Sequence, residues 1–238
     1  MERLVEGARH LLKLALTPPQ QRAFQVYRDE LIDWNSRFNL TAITDPAGVQ
    51  VRHFLDSLSC LLALGRAERG ASLIDVGSGA GFPGLPLKIV CPNLRVTLLE
   101  ATGKKTDFLL HMVERLELTD VTVIHARAEE LGHDAQHREV YDWVVARAVA
   151  AMPALTEYLL PLCRMGGRCL AQKGEEAAVE VSQAQAAIQL LGGRLNRLIP
   201  VELPGLAETR YLVVLDKVAC TPEKYPRRPG VPTKHPLG

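Results

Sequence analysis

A chain of 238 residues, 47% hydrophobic and 23% charged, has the length and composition of one soluble α/β domain with an appendage. Its formal charge of +1 predicts no global pull toward nucleic acid or a membrane surface, so any basic surface must be local. No apolar run approaches the ~18 residues a membrane span needs, and the N-terminal stretch MERLVEGARHLLKLAL has acidic residues and no small-residue cleavage site. Five cysteines without a C-x-x-C spacing predict reduced thiols in a cytoplasmic protein that holds no metal.

The first seventy residues read as helices. Leu4, Val5, Ala8, Leu11, Leu12 and Ala15 recur at helical spacing. Thr17-Pro18-Pro19-Gln20 predicts a second start, with Thr17 as N-cap, Pro18 at the first helical position and Gln20 closing a capping box. Phe24, Tyr27, Leu31 and Trp34 form its apolar stripe. Asp45-Pro46 opens a third helix, with Val51, Phe54 or Leu55, Leu58 and Leu62 on one face. Residues 1–70 are therefore expected to form a small helical region.

From Ala71 the pattern alternates. Strands are expected at SLIDV, RVTLLE, VTVIHA, YDWVVARAV and GRCLAQ, with helices over Pro86–Cys91, Thr106–Leu116, Pro153–Cys163 and Glu175–Leu191. Such alternation implies right-handed crossovers and a parallel sheet covered on both faces. NRLIPVEL and RYLVVLDKV are joined only by PGLAET, too short for a crossover, so they should form an antiparallel hairpin. The fold class expected over residues 71–218 is thus α/β of the Rossmann-like methyltransferase layout: a mostly parallel seven-stranded sheet with a terminal antiparallel hairpin. Residues 219–238, rich in proline and basic groups, should lie extended on the surface.

The stretch LIDVGSGAGFPGLPL runs from the first strand into the first helix. Asp75 to Gly81 has the form D-x-G-x-G-x-G, and Gly79 to Gly84 also reads G-x-G-x-x-G, so a nicotinamide dinucleotide is an alternative ligand. A pyrophosphate needs free N–H groups at a helix N-terminus, and Pro83 and Pro86 remove two of them. A nucleoside without phosphate, such as S-adenosyl-L-methionine, needs none. Glu100 ends the second strand, where a carboxylate can accept ribose hydroxyls. Glu129, or its neighbouring backbone, follows the third strand toward the adenine. Arg147 stands among Ala146, Ala148, Val149 and Ala150 at the end of the fourth.

The chemistry is also read from what is missing. No Asn/Asp-Pro-Pro-aromatic motif for exocyclic amines follows the fourth strand, and no cysteine for pyrimidine C5 attack lies at Arg147 to Met152. A ring nitrogen such as guanine N7 has a lone pair and no proton to lose, so positioning suffices. Lys104, Lys105, Lys173, Arg227 and Arg228 converge on the carboxyl edge of the sheet and point to RNA. From Lys217 onward five Lys or Arg face one Glu, and Tyr225 could stack on a base. A non-catalytic RNA- or cofactor-binding module remains a further alternative.

WNSRFNLTAI, VRHFLDSL, DVGSGAGFPGLPL and KYPRRPG together resemble the bacterial small-subunit ribosomal RNA methyltransferase G family, also called glucose-inhibited division protein B, over nearly the whole chain. The resemblance implies a cytoplasmic, monomeric enzyme that methylates N7 of one guanine in 16S ribosomal RNA, free or in the small subunit, with S-adenosyl-L-methionine. It implies a cofactor pocket at Gly77 and Phe82, ribose contacts from Glu100, Ala101 and Thr102, adenine contacts from Ala128 and Glu129, and Arg147 approaching the cofactor. Asn39, Arg52, His53 and Lys173 match positions that support the site or the RNA. Arg147 and Lys173 are the expected catalytic pair. Ala101 departs from the serine frequent in the family. Arg52, His53 and Asp56 also have the spacing of local helical pairs.

Overall fold

The computed structural model describes residues 1–65 and 70–237. Seven strands form one sheet in the order β3-β2-β1-β4-β5-β7-β6. They are β1 (Ser72–Val76), β2 (Arg95–Glu100), β3 (Val121–His125), β4 (Tyr141–Arg147), β5 (Cys163–Lys173), β6 (Gly193–Val201) and β7 (Arg210–Lys217). The first five pair in parallel, and β7 runs antiparallel to both β5 and β6. Reversal of strand order at β1 and β4 opens a crevice at their carboxyl ends, the expected ligand position in such sheets.

The two faces of the sheet bury alternate residues, as the two-residue strand period demands. Leu73, Leu98, Val145, Leu170 and Val214 pack beneath the N-terminal helices, whereas Ile74, Val76, Val144, Ala171 and Val213 pack beneath the later ones. Asp75 occupies an alternating position that would otherwise be apolar. It is fully buried.

Two helices open the chain, α1 (Glu2–Leu12) and α2 (Pro18–Phe38), and the capping box at Thr17 and Gln20 is formed. Phe24, Tyr27 and Leu31 are buried along α2. The third helical stretch departs from the expected regular pattern. Asp45 caps α3 (Pro46–Gly48), a π-helical segment covers Val49–Leu55, and α4 (Asp56–Ser59) and α5 (Leu61–Leu64) follow. The wider π turn lets Val51, His53, Phe54 and Leu55 all be buried, while Leu62 is exposed.

The remaining helices are α6 (Gly84–Val90), α7 (Gly103–Arg115), α8 (Ala128–Leu131), α9 (Met152–Leu159), α10 (Ala177–Gln183), α11 (Gln185–Leu190) and α12 (Val231–Lys234). The helix expected over 175–191 is two, meeting at Ala184. The tail expected to lie extended is packed instead. Thr221, Tyr225 and Pro232 are buried, and Arg138 donates to the carbonyls of Thr221 (2.8 Å) and Tyr225 (2.8 Å). Among the described residues no helix is long and apolar enough to cross a membrane.

Candidate active site

The loop between β1 and α6 folds back on itself. Gly77 and Gly81 have φ of +69° and +93°, and each is also sterically required. A Cβ at Gly77 would lie 2.7 Å from Val149, and one at Gly81 would lie 2.5 Å from the Tyr27 hydroxyl. That hydroxyl donates to the Ala80 carbonyl at 2.5 Å, so α2 holds the loop directly.

Apart from that of Ala80, the loop's amides are spent within the protein. Gly81 and Phe82 donate to the Ser78 carbonyl, Leu85 to that of Gly81, and Gly84 to Asp75 Oδ2 at 2.8 Å. Pro83 and Pro86 have no N–H to offer. A phosphate would find no row of free donors here, so the pyrophosphate reading fails on geometry as well as on sequence.

Glu100 is buried and receives two amides, Gly79 N–H at Oε2 (2.9 Å) and Thr102 N–H at Oε1 (2.8 Å). Each oxygen keeps a lone pair for a hydroxyl donor. Beside it lies a cavity of about 210 Å³ lined by Gly77, Ala101, Ala128, Glu129, Val149 and Tyr158, among others. Glu129 is buried and already accepts the Gly230 N–H at 2.9 Å. Ala101 lines the cavity and is exposed, Ala128 lines it and is half-buried, and Thr102 is exposed outside the lining.

On the other side of the loop, Arg147 is the centre of a second cluster. Its guanidinium donates to Asp56 Oδ2 (2.9 Å), to the Arg52 carbonyl (3.0 Å) and to His53 Nδ1 (3.1 Å). It also lies 4.9 Å from the Phe82 ring centroid. Because arginine only donates, Nδ1 is the accepting nitrogen of His53, and Nε2–H donates to the Thr41 hydroxyl at 2.8 Å. Burial, with the Arg147 charge second, lowers the His53 pKa to about 3. The ring is neutral and stacks on Phe82 at 4.5 Å. Asp56 therefore serves Arg147 across 91 positions of sequence rather than Arg52 one turn away.

Asp75 sits beneath the loop with Oδ1 buried and unpartnered. Burial raises its pKa to about 7, against the opposing pull of the Gly84 amide and Arg147. Lys173 contacts Glu180 (2.6 Å) and donates to the Ala150 carbonyl (2.9 Å). Glu180 also accepts the Met152 N–H at 2.8 Å. Lys173 thus fixes the segment after β4, where Ala148 has a φ of +55°, and its ammonium is engaged by protein rather than free for transfer.

The residues expected at RNA are not all alike. Asn39, Arg52, Lys104 and Arg228 are exposed, and Lys105 is half-exposed. Lys104 lies 5.7 Å from the Phe38 ring centroid. Arg227 is different: its guanidinium holds the wholly buried Glu157 at 2.7 Å. Tyr225 is buried and cannot stack on a base. Lys217 is buried too, paired with Glu139 at 2.9 Å. The tail's charge excess is thus partly consumed inside the protein.

Sequence reasoning missed Asp75, Glu157, Glu180 and the partner of Asp56. The signal for Asp56 and Asp75 was a carboxylate placed in an otherwise apolar helix face or strand. Such a residue must find a partner or stay neutral.

Strand order, glycine loop and flanking acids define a Rossmann-like methyltransferase fold. A solved structure of M. jannaschii TYW2 in complex with AdoMet shares that fold, with a TM-score of 0.51 at 14% identity over 68% of this chain and 74% of that one. Residues 20–203 match the family described as rRNA small subunit methyltransferase G. A Roseiflexus sp. ribosomal RNA small subunit methyltransferase G is 57% identical over 94% of both chains. The Chloroflexus aggregans protein of that name is 51% identical over 99% of this chain and 98% of its own. The chain belongs to the rRNA small subunit methyltransferase G family.

Proposed function

We propose that this protein transfers a methyl group from S-adenosyl-L-methionine to N7 of one guanine in 16S ribosomal RNA. The observation that carries the cofactor assignment is a glycine cradle with no row of free phosphate donors, braced by Glu100, beside a cavity lined by Glu129. When bound, S-adenosyl-L-methionine supplies a methyl group made electrophilic by its sulfonium. Glu100 would hold the ribose hydroxyls, Ala128 and Glu129 the adenine edge, and Gly77 the close backbone approach.

The protein's own groups fit a reaction that needs no base. Both nitrogens of His53 are engaged and its proton affinity is low, so it does not take a proton. Its role is to orient Arg147. The Asp56 carboxylate balances the guanidinium, which keeps Arg147 from repelling a sulfonium nearby. Phe82, on the loop, lies between Arg147 and Tyr27 and covers this side of the site. Lys173 acts as a positioning residue for the segment after β4.

Residues 1–70 supply the partners of Arg147, residues 71–218 the cofactor cradle, and residues 219–238 a wall of the cavity. Asn39, Arg52, Lys104, Lys105 and Arg228 offer exposed contacts for RNA phosphates and loops. Arg227 is assigned to the tail's own anchoring. A ribosomal substrate supports action in the cytoplasm, on free RNA or the small subunit.

Incubation with methyl-labelled cofactor and 16S RNA from unmodified small subunits tests the reading. Label at one guanine, released by chain cleavage specific for N7-methylguanine, is the expected result. Label on another base or position, or none, would refute it.

A further inference from the structure

We infer that the segment Gly230–Lys234 is a strap that closes the cofactor cavity from outside, opening for entry and re-forming over the bound nucleoside. This rests on the cofactor reading above. Gly230 and Thr233 contribute directly to the cavity lining, although they lie about a hundred residues beyond Glu129 in the chain.

The cavity's walls differ in how they are held. Val76, Leu99 and Ala126 belong to, or directly follow, the paired parallel strands β1, β2 and β3. The outer wall meets the cavity's own lining through two hydrogen bonds, Gly230 N–H to Glu129 Oε1 at 2.9 Å and the Tyr158 and Thr233 hydroxyls at 3.1 Å, and Arg227 also donates to the His235 carbonyl just beyond it at 2.8 Å. The Pro232 ring is tucked beneath, while Thr233 and Lys234 are exposed.

At about 210 Å³ the cavity is smaller than the ~300–1,000 Å³ typical of small-molecule sites. Its sheet side is fixed by paired strands, so the outer border formed by Gly230 and Thr233 is the side placed to move. Its inner end is fixed, because Arg227 grips buried Glu157 both through its backbone N–H (2.6 Å) and through its guanidinium (2.7 Å). The Arg227–Glu157 pair is therefore the pivot, and the two hydrogen bonds are the latch. Gly230, with a φ of +80° and open space around it, marks the bend between them.

The test uses the full-length protein and two probes, S-adenosyl-L-methionine and adenosine. In limited trypsin digestion the Lys234–His235 bond is the reporter. Both probes should slow cleavage there several-fold, whereas methionine alone should not. Tyr158→Phe and Thr233→Val each remove the outer latch without changing bulk. In stopped-flow binding each should raise the dissociation rate of S-adenosyl-L-methionine about fivefold, the worth of one ordinary hydrogen bond. The double variant should do no more than either single one.

Unchanged dissociation in both variants, with cleavage at Lys234 indifferent to saturating cofactor, would overturn the strap while leaving the cofactor reading intact. Wild-type protein that binds neither probe would overturn both.

Discussion

The two ends of the chain both reach the active site, but they are attached by different physics. The N-terminal helices join the sheet through an aromatic seam. Phe24 and Tyr27 contact Phe54 at centroid distances of 5.0 and 5.2 Å, and Tyr27 stacks on Phe82 at 5.3 Å. The tail is joined largely by charge and carbonyls, through Arg138, Arg227–Glu157 and Lys217–Glu139. An apolar seam is non-directional and fails all at once, whereas a tail tied by discrete polar bonds can open locally. The fixed end orients Arg147. The releasable end borders the candidate cofactor cavity.

That contrast can be broken on its rigid side first. Gly81→Ala forces a Cβ against Tyr27 at a positive φ and should cost about 2–5 kcal/mol, the sum of overpacking and left-handed strain. Urea unfolding should shift as one cooperative transition for the whole molecule. A second transition confined to the N-terminal helices would show that the seam does not couple them to the sheet.

On the polar side, Arg227→Met leaves Glu157 buried without its countercharge and should cost about 3 kcal/mol. The loss should appear in hydrogen exchange as opening of residues 219–237 before the sheet. Uniform exchange loss across β1 to β5 would contradict a locally releasable tail.

Asp56→Asn should cost about 2 kcal/mol, since Arg147 loses its charge partner but keeps some solvent contact. Methyl transfer should fall much further than cofactor affinity. Equal losses in both would show that Asp56 acts through stability alone.

The smallest effect is a titration. The His53 pKa of about 3 lies below the value for a free imidazole, so its stabilising contribution is full above about pH 6.5 and is lost as pH falls toward 3. Arg147→Met removes the lesser of the two depressing causes, and NMR should then show the His53 pKa rising while staying below 6.5. An unmoved pKa would mean that burial alone sets it. Asp75 works in the opposite sense: its pKa of about 7 makes its ionisation costly as pH rises through the range from about 4 to 7.

Much of this molecule is legible in the sequence. SLIDV and RVTLLE are β1 and β2 residue for residue, because buried parallel strands are near-continuous apolar runs. The hairpin followed from a linker too short to cross over. The β5 strand was longer than its apolar stretch, since Gly166 and Gly167 interrupt the pattern where the register with β4 shifts. The π-helical segment was hidden because its period is not 3.6. The partners of Arg147 and Arg227 lie 91 and 70 positions away, and a side chain bonding across such distances leaves no periodic trace. The same blindness made the tail look extended: arginine bonds to main-chain carbonyls impose no pattern on the residues that supply them.

The position of β7 has a consequence for biosynthesis. It follows every other strand in the chain, yet it is inserted between β5 and β6. While the nascent chain emerges, β5 presents an open edge and β6 has no neighbour, a template for wrong pairing until residue 217 is free. Only then can the sheet be completed, and the residues that border the cofactor cavity from outside come later still. A chain stalled short of this point would hold the glycine loop and Arg147, with neither a finished sheet nor an enclosed pocket.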